Sequence, residues 1–217
     1  MLSHYYTVIE YGEHEIIVQK SRFICHIGRV TSEEEAQSFI EKIKKKHRQA
    51  NHNCFAYLIG EQNHIQKTSD DGEPTGTAGV PMLEVLKKKH LHDTVVVVTR
   101  YFGGIKLGAG GLIRAYGSAV SAALDTLGVV KRSLMRTIRM TIDYPLLGVV
   151  ENALHSQNII INNIDYQESV CIEIFIPEID KESFKTWIID KTNGKSVINE
   201  GMLNYTEEIC KTEGEHK

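Results

Sequence analysis

The chain has 217 residues, of which 41% are hydrophobic and 24% charged, and its formal net charge is −3. That is an ordinary globular composition, long enough for one or two domains with real cores, so no disulfide or metal staple is needed. The four cysteines, at 25, 54, 171 and 210, make no Cys-x-x-Cys pair and no zinc-ligand spacing, which reads as reduced thiols in a cytoplasmic protein. The first residues have neither the basic nor the apolar region of a signal peptide. Aliphatic runs such as 95–98 are far too short to span a bilayer, so no membrane partner is expected.

Charge is unevenly spread. Residues 1–141 hold 19 Lys/Arg against 14 Asp/Glu, a net +5, and residues 142–217 hold 6 against 14, a net −8. Within 79–141 the count is 10 against 3, a net +7. This asymmetry implies two units with different surfaces, the first able to attract a polyanion.

In chain order, residues 5–11, 14–19 and 22–30 carry the β-branched and aromatic residues of strands. Ser32 followed by Glu35 is a capping box, and Ala36, Phe39, Ile40 and Ile43 recur at helical spacing behind it. That helix ends in Lys44-Lys45-Lys46-His47. Residues 52–60 and 64–69 read as two strands, followed by a loop at 69–77 and a short helix ending in Lys87-Lys88-Lys89-His90. Residues 93–101 hold four consecutive valines, the mark of a strand buried on both faces. A glycine-rich turn leads into a helix from about 109 to 127, which Gly128 is placed to end.

The second unit begins near residue 131. A strand runs to 143, and Pro145 suits the first turn of a helix carrying Leu146, Val149, Val150, Ala153 and Leu154. Strands follow at 159–166 and 170–176. Asp180 can cap a helix that buries Phe184, Trp187 and Ile188, and 195–207 is the last strand. The order is βαββαβ, the ferredoxin-like pattern. The expected architecture is therefore α+β in two domains, 1–130 and 131–210, with a polar tail at 211–217.

The stretch 99–116 carries the clearest ligand signal. Its strand delivers Arg100, and Gly103, Gly104, Gly108, Gly110 and Gly111 follow within nine positions. Glycine permits positive φ and close backbone approach, and a helix start presents uncapped N–H groups. Arg100, Lys106 and Arg114 are spaced to surround that helix start as a phosphate cradle. Walker and dinucleotide motifs do not fit: Ala109 and Gly110 stand where Lys and Ser/Thr belong, and Ile113 where a glycine belongs. The bland alternative is a tight turn whose glycines only permit packing.

Two further clusters stand out. Asp70, Asp71 and Glu73 crowd the loop 69–77. They read as a divalent-metal site, as turn carboxylates capping backbone N–H groups with Thr75 or Thr77 capping the next helix, or as partners of Arg100 or Arg114; metal is the weakest of the three. His52, Cys54 and Ala56 share one strand face, which raises a Cys/His nucleophile, although a buried Cys beside a hydrogen-bonded His is commoner. His52 could also touch a ligand. The two Lys-Lys-Lys-His runs fit helix C-termini on dipole grounds alone and gain meaning only beside the glycine loop. Tyr101 and Phe102 flank that loop and could stack on bases or lie in the core.

The run Arg100-Tyr101-Phe102-Gly103-Gly104-Ile105-Lys106-Leu107-Gly108 resembles the signature of the IMPACT family, and residues 52–57 and 69–79 are similar to its other shared blocks. The likeness covers nearly the whole chain and points to the two-domain bacterial branch of YigZ/YvyE type. It implies an N-terminal βαβ-type domain of the ribosomal-protein and elongation-factor-G superfamily, and a ferredoxin-like C-terminal domain similar to those of elongation factor G. It also implies a role in translation. Eukaryotic members regulate initiation under stress by binding an activator of a general-control kinase, and bacterial members are suggested to bind nucleic acid or the ribosome. Arg100, Gly103, Gly104, Lys106 and Gly108 are its signature positions, with no catalytic role attached.

The leading expectation is a non-enzymatic regulator that binds RNA, the ribosome or a translation-related protein through a basic glycine-rich groove. That groove would be formed by Arg100, Gly103, Gly104, Lys106, Gly108, Gly110, Gly111 and Arg114, with His52, Asp70 and Asp71 beside it. No cofactor or metal is implied. The alternatives are a metal-assisted hydrolase or phosphoryl-transfer enzyme using Asp70 and Asp71, and a protein-interaction module using the acidic C-terminal unit.

Overall fold

The computed structural model describes residues 1–210; the tail expected at 211–217 lies outside the described residues. The chain forms two compact units. One comprises Tyr5–Lys131 together with 208–210, and the other Met1–His4 with Arg132–Glu207.

The first unit contains β1 (His4–Val8), β2 (Tyr11–Val18), β3 (Ser21–Arg29), α1 (Glu33–Lys46), β4 (His52–Ile59), β5 (Ile65–Ser69), α2 (Gly79–Lys88), β6 (Thr94–Tyr101) and α3 (Gly108–Leu127). Strands β2 to β6 form one sheet in the order β2-β3-β6-β4-β5, with every neighbouring pair antiparallel. Since β3 and β4 both run antiparallel to β6, they run parallel to each other. The β3–α1–β4 segment is therefore a split βαβ unit with β6 inserted between its strands.

The four valines of β6 serve both faces of this sheet. Val95 and Val97 pack in a cluster with Ile40 and Ile43 of α1, whereas Val96 and Val98 pack with Met82 of α2 and Tyr116 of α3. Continuous apolar strands are commonest in parallel sheets. Here helices on both faces impose the same demand on an antiparallel one, and each buried valine contributes about 1.5–3 kcal/mol. The period-2 alternation then puts Arg100 on the side of Val96 and Val98. In register, it stands opposite Phe23 on β3 and His52 on β4.

Helix α1 begins as its sequence predicts, with one shift. The Ser32 hydroxyl accepts from Glu35 N at 3.2 Å, and the Glu35 carboxylate reaches back chiefly to Thr31 N, at 2.6 Å, with Ser32 N a weaker donor to it. Helix α3 ends at Gly128 as expected; its φ of 86° suits glycine, but its ψ of 160° makes it an extended positive-φ cap rather than a left-handed helical one.

The second unit contains β7 (Val129–Ile142), α4 (Leu147–Ser156), β8 (Ile161–Tyr166), β9 (Val170–Pro177), α5 (Lys181–Lys191) and β10 (Val197–Cys210). Among this unit's own strands the order is β10-β7-β9-β8, the four-one-three-two arrangement of a ferredoxin-like βαββαβ fold. Val150 and Leu154 of α4 and Phe184 and Ile188 of α5 close one face over Ile138, Met140, Ile172 and Ile174. Trp187 is only half-buried. Both helices start differently from the sequence expectation. Pro145 sits in a 3-10 turn, Tyr144–Leu146, ahead of α4, and the Asp180 side chain caps nothing because a 3-10 turn, Glu178–Asp180, feeds α5.

Candidate ligand-docking site

Three elements converge on the Glu73 carboxylate. Its Oε1 accepts from Arg100 Nη1 of β6 at 2.6 Å and from the Tyr116 hydroxyl of α3 at 2.8 Å, and His52 Nε2 of β4 lies 3.8 Å away. Arg100 and Glu73 side chains are only 6% and 4% exposed. Arg100 also reaches Ser21 Oγ at 3.5 Å, and its guanidinium lies 5.3 Å from the Phe23 ring and 5.5 Å from the Phe102 ring. Arg100 is thus a buried, neutralised cation. The sequence expectation put it among three cations facing a ligand; the structure instead makes it the post that ties the loop 69–77 to the end of β6.

The acidic loop is satisfied internally. Asp70 Oδ1 accepts from Ala78 N and Gly79 N at 3.0 and 2.9 Å, and Oδ2 from Gly76 N at 2.8 Å. Asp70 therefore caps α2 from eight residues upstream, while Thr77, an expected cap, donates its hydroxyl to Pro74 O. Burial raises the Asp70 carboxyl, but the donations from Gly76, Gly79 and Ala78 outweigh it and hold it below its ordinary range. Asp71 takes Asn53 N at 2.7 Å and Lys44 Nζ at 2.7 Å. The expected carboxylate–arginine pair exists, but Glu73 makes it with Arg100, and neither aspartate pairs with Arg114. Among the described residues no group of three or more His, Cys, Asp or Glu is arranged to hold a metal ion.

Cys54 and His52 do lie on one strand face, yet they do not form a dyad. His52 Nδ1 is bonded to Asp71 O at 2.9 Å, whereas the Cys54 thiol donates to Asp70 O at 2.9 Å and lies 3.4 Å from the Tyr116 hydroxyl. Burial pushes the Cys54 thiol up to about 12, and burial first, then Cys54 and Glu73, pushes the Tyr116 phenol far above its ordinary value. Both stay protonated, so neither is an activated nucleophile.

The signature glycines separate by cause. A Cβ at Gly103 would collide with the backbone carbon and oxygen of Lys20, so the loop can lie on the β2–β3 turn only without one. Gly103 N also donates to Ser21 Oγ at 3.2 Å. Gly104 and Gly108 have φ of 88° and 68°, and a Cβ at Gly111 would press on Leu107. Only Gly110, in the first turn of α3, meets no such demand: the nearest atom to its Cβ position is Arg114 Nη1 at 3.8 Å. Among the described residues no side chain is seen to cap the start of helix α3, whose N-cap position is Leu107.

Of the exposed cations around this loop, Arg22 pairs with Glu15 and Lys46 with Glu13. Lys106 and Arg114 on the signature itself, Lys20 at the β2–β3 turn, and Lys45 and Arg48 at the end of α1 are all exposed, and none makes an ion pair among the described residues. The first Lys-Lys-Lys-His run adjoins the site: Lys44 binds Asp71, and His47 Nδ1 lies 3.0 Å from the Tyr101 hydroxyl. The second does not. Its Lys89 pairs with Asp125 at the far end of α3, about 25 Å of helix axis from Gly108. Tyr101 is held by His47 and Arg22, while Phe102 is 46% exposed. Tyr116, Ser21 and Lys20 escaped sequence reading as site residues because only tertiary contacts bring them together with Arg100, Glu73 and Gly103.

Comparison with known proteins places this geometry in context. Residues 19–124 match the family model described as the Impact N-terminal domain, and 140–195 match a domain of unknown function, DUF1949. The chain is 59% identical to the IMPACT family member YvyE of Bacillus subtilis over 95% of both chains. A crystal structure described only as a hypothetical protein is 31% identical, with a TM-score of 0.59, covering 91% of this chain and 97% of its own. The solved structure of the two-domain translational regulator Yih1 is 28% identical over 55% of this chain and 47% of its own, with a TM-score of 0.38.

Proposed function

Because the chain belongs to the IMPACT family, we propose that it is a non-enzymatic, translation-associated regulator that docks onto RNA, free or in the ribosome, through the basic surface at the start of α3. The observation that carries this reading is an imbalance of charge. The three acids of the loop 69–77 are neutralised by Arg100, by Lys44 and by backbone N–H groups, whereas Lys106 and Arg114 are exposed and make no ion pair among the described residues. From Thr94 to Leu124 the chain carries no acidic residue at all. Phosphates gather unpaired cations of this kind by releasing their counterions. Gly110 supports the reading, since an exposed first-turn glycine with no packing demand leaves room for a close ligand.

The family resemblance supports the link to translation, and a role in translation is what supports a cytoplasmic site of action. A metal-assisted hydrolase is disfavoured because the oxygens of Asp70 and Asp71 are already engaged. Cosedimentation with ribosomes and with bulk RNA tests the proposal. Wild-type protein should pellet with one or both at low salt, and K106A/R114A should stay in the supernatant. Equal pelleting of the two proteins would remove the basic surface from the account.

A further inference from the structure

Beside the cationic loop stands one aromatic side chain that the fold does not bury. Phe102 follows β6 directly, is 46% exposed, and has the Arg100 guanidinium 5.5 Å from its ring centre. Its backbone is fixed, because Phe102 N donates to Asn51 Oδ1 at 2.8 Å and Gly103 N to Ser21 Oγ. Arg100 is fixed in turn by Glu73. A ring held from behind by a locked cation, on a locked backbone, is pre-organised to receive a flat group on its remaining surface. Its neighbour Tyr101 is not available in the same way, being bonded to His47 and covered by Arg22. Downstream, Gly103 and Gly104 add no side chain that would crowd the ring, and Lys106 stands four residues on.

We propose that Phe102 is a stacking platform for an unpaired base, so that the ligand of this surface is single-stranded rather than duplex RNA, with Lys106 and Arg114 meeting its phosphates. Every base offers a π face, whereas a base inside a duplex is covered by its neighbours. The assignment rests on the RNA-docking reading above and adds to it the strandedness of the ligand and the residue that senses it.

The test uses the full chain, a fluorescein-labelled short oligouridylate and an RNA duplex of equal length, with affinities measured by anisotropy over a range of salt. Phe102→Leu keeps an apolar contact with Arg100 but has no π face, and Phe102→Tyr keeps the ring; equal thermal midpoints verify that both fold. The account expects F102L to weaken oligouridylate binding about 5- to 100-fold with an unchanged salt slope, F102Y to bind like wild type, and the duplex to bind more weakly than the single strand. Wild-type affinity in F102L, or preference for the duplex, overturns the stacking assignment. If K106A/R114A still lowers affinity in that case, the RNA-docking reading survives alone. Absence of binding to either RNA at low salt overturns both and leaves a protein as the partner of this surface.

Discussion

Glu73 and Arg100 meet at 2.6 Å with both side chains almost fully out of water, and that contact fixes the loop 69–77 against the end of the signature strand. Removing one partner of such a pair strands the other charge. Glu73→Ala should therefore cost about 3–5 kcal/mol in urea unfolding. Glu73→Gln, which keeps an acceptor for Arg100 and Tyr116, should cost less. A loss below about 1 kcal/mol for the alanine variant would mean that water reaches Arg100.

Asp70 holds three backbone N–H groups at the start of α2, so Asp70→Ala should destabilise the protein by about 2 kcal/mol, the upper end for a helix cap. Its carboxyl is held below the ordinary value in the fold. Its stabilisation is therefore present above the unfolded-state pKa and fades as pH falls through the folded one. Urea midpoints of wild type and D70A should converge at strongly acidic pH; a constant gap between them would contradict this.

Gly103 and Gly110 should respond in opposite directions. Gly103→Ala drives a methyl into the Lys20 backbone and should lower the thermal midpoint or prevent folding. Gly110→Ala meets no obstacle and should stabilise α3 by about 0.5–1 kcal/mol while weakening ligand docking. A G110A protein that is both more stable and equally good at docking would show that this glycine serves nothing at the surface.

On the opposite face of the same sheet, His26 is fully buried, with Nδ1 near Tyr11 and Glu13, its ring 4.9 Å from that of His47, and Lys46 bound to the same Glu13. Burial, and then the charge of His47, lowers His26 to about 4. A depressed histidine leaves the unfolded state binding the extra proton between about pH 6.5 and 4. Stability should fall by up to about 3 kcal/mol as pH drops through that window. Urea unfolding from pH 7 to 4 checks it, and His26→Gln should flatten the slope.

What the sequence made legible follows from the range of the interactions. The valines of β6, the Ser32 cap of α1 and the Gly128 terminus of α3 depend on residues a few positions apart, and each forms where its pattern predicts. The order of elements in the second unit was enough to indicate the ferredoxin-like fold. The cap of α2 was not legible, because Asp70 acts across eight residues and displaces Thr77, its local competitor. Pairing of the acidic loop with Arg100 or Arg114 is one of three readings the sequence offers, but the linear chain cannot say which carboxylate meets which arginine or that Arg100 is buried by the contact. Which of the glycines serve packing is not legible either, because the Lys20 backbone, which explains Gly103, lies 83 positions away in sequence.

The central claim is that Lys106 and Arg114 dock RNA phosphates while Arg100 does not face the ligand. The most direct measurement is the salt dependence of oligouridylate affinity for wild type and K106A/R114A. Binding should weaken linearly on a log–log plot against salt, and losing two phosphate contacts should flatten the slope by about 1.4 as well as lower the affinity. Parallel lines of equal affinity would contradict the account.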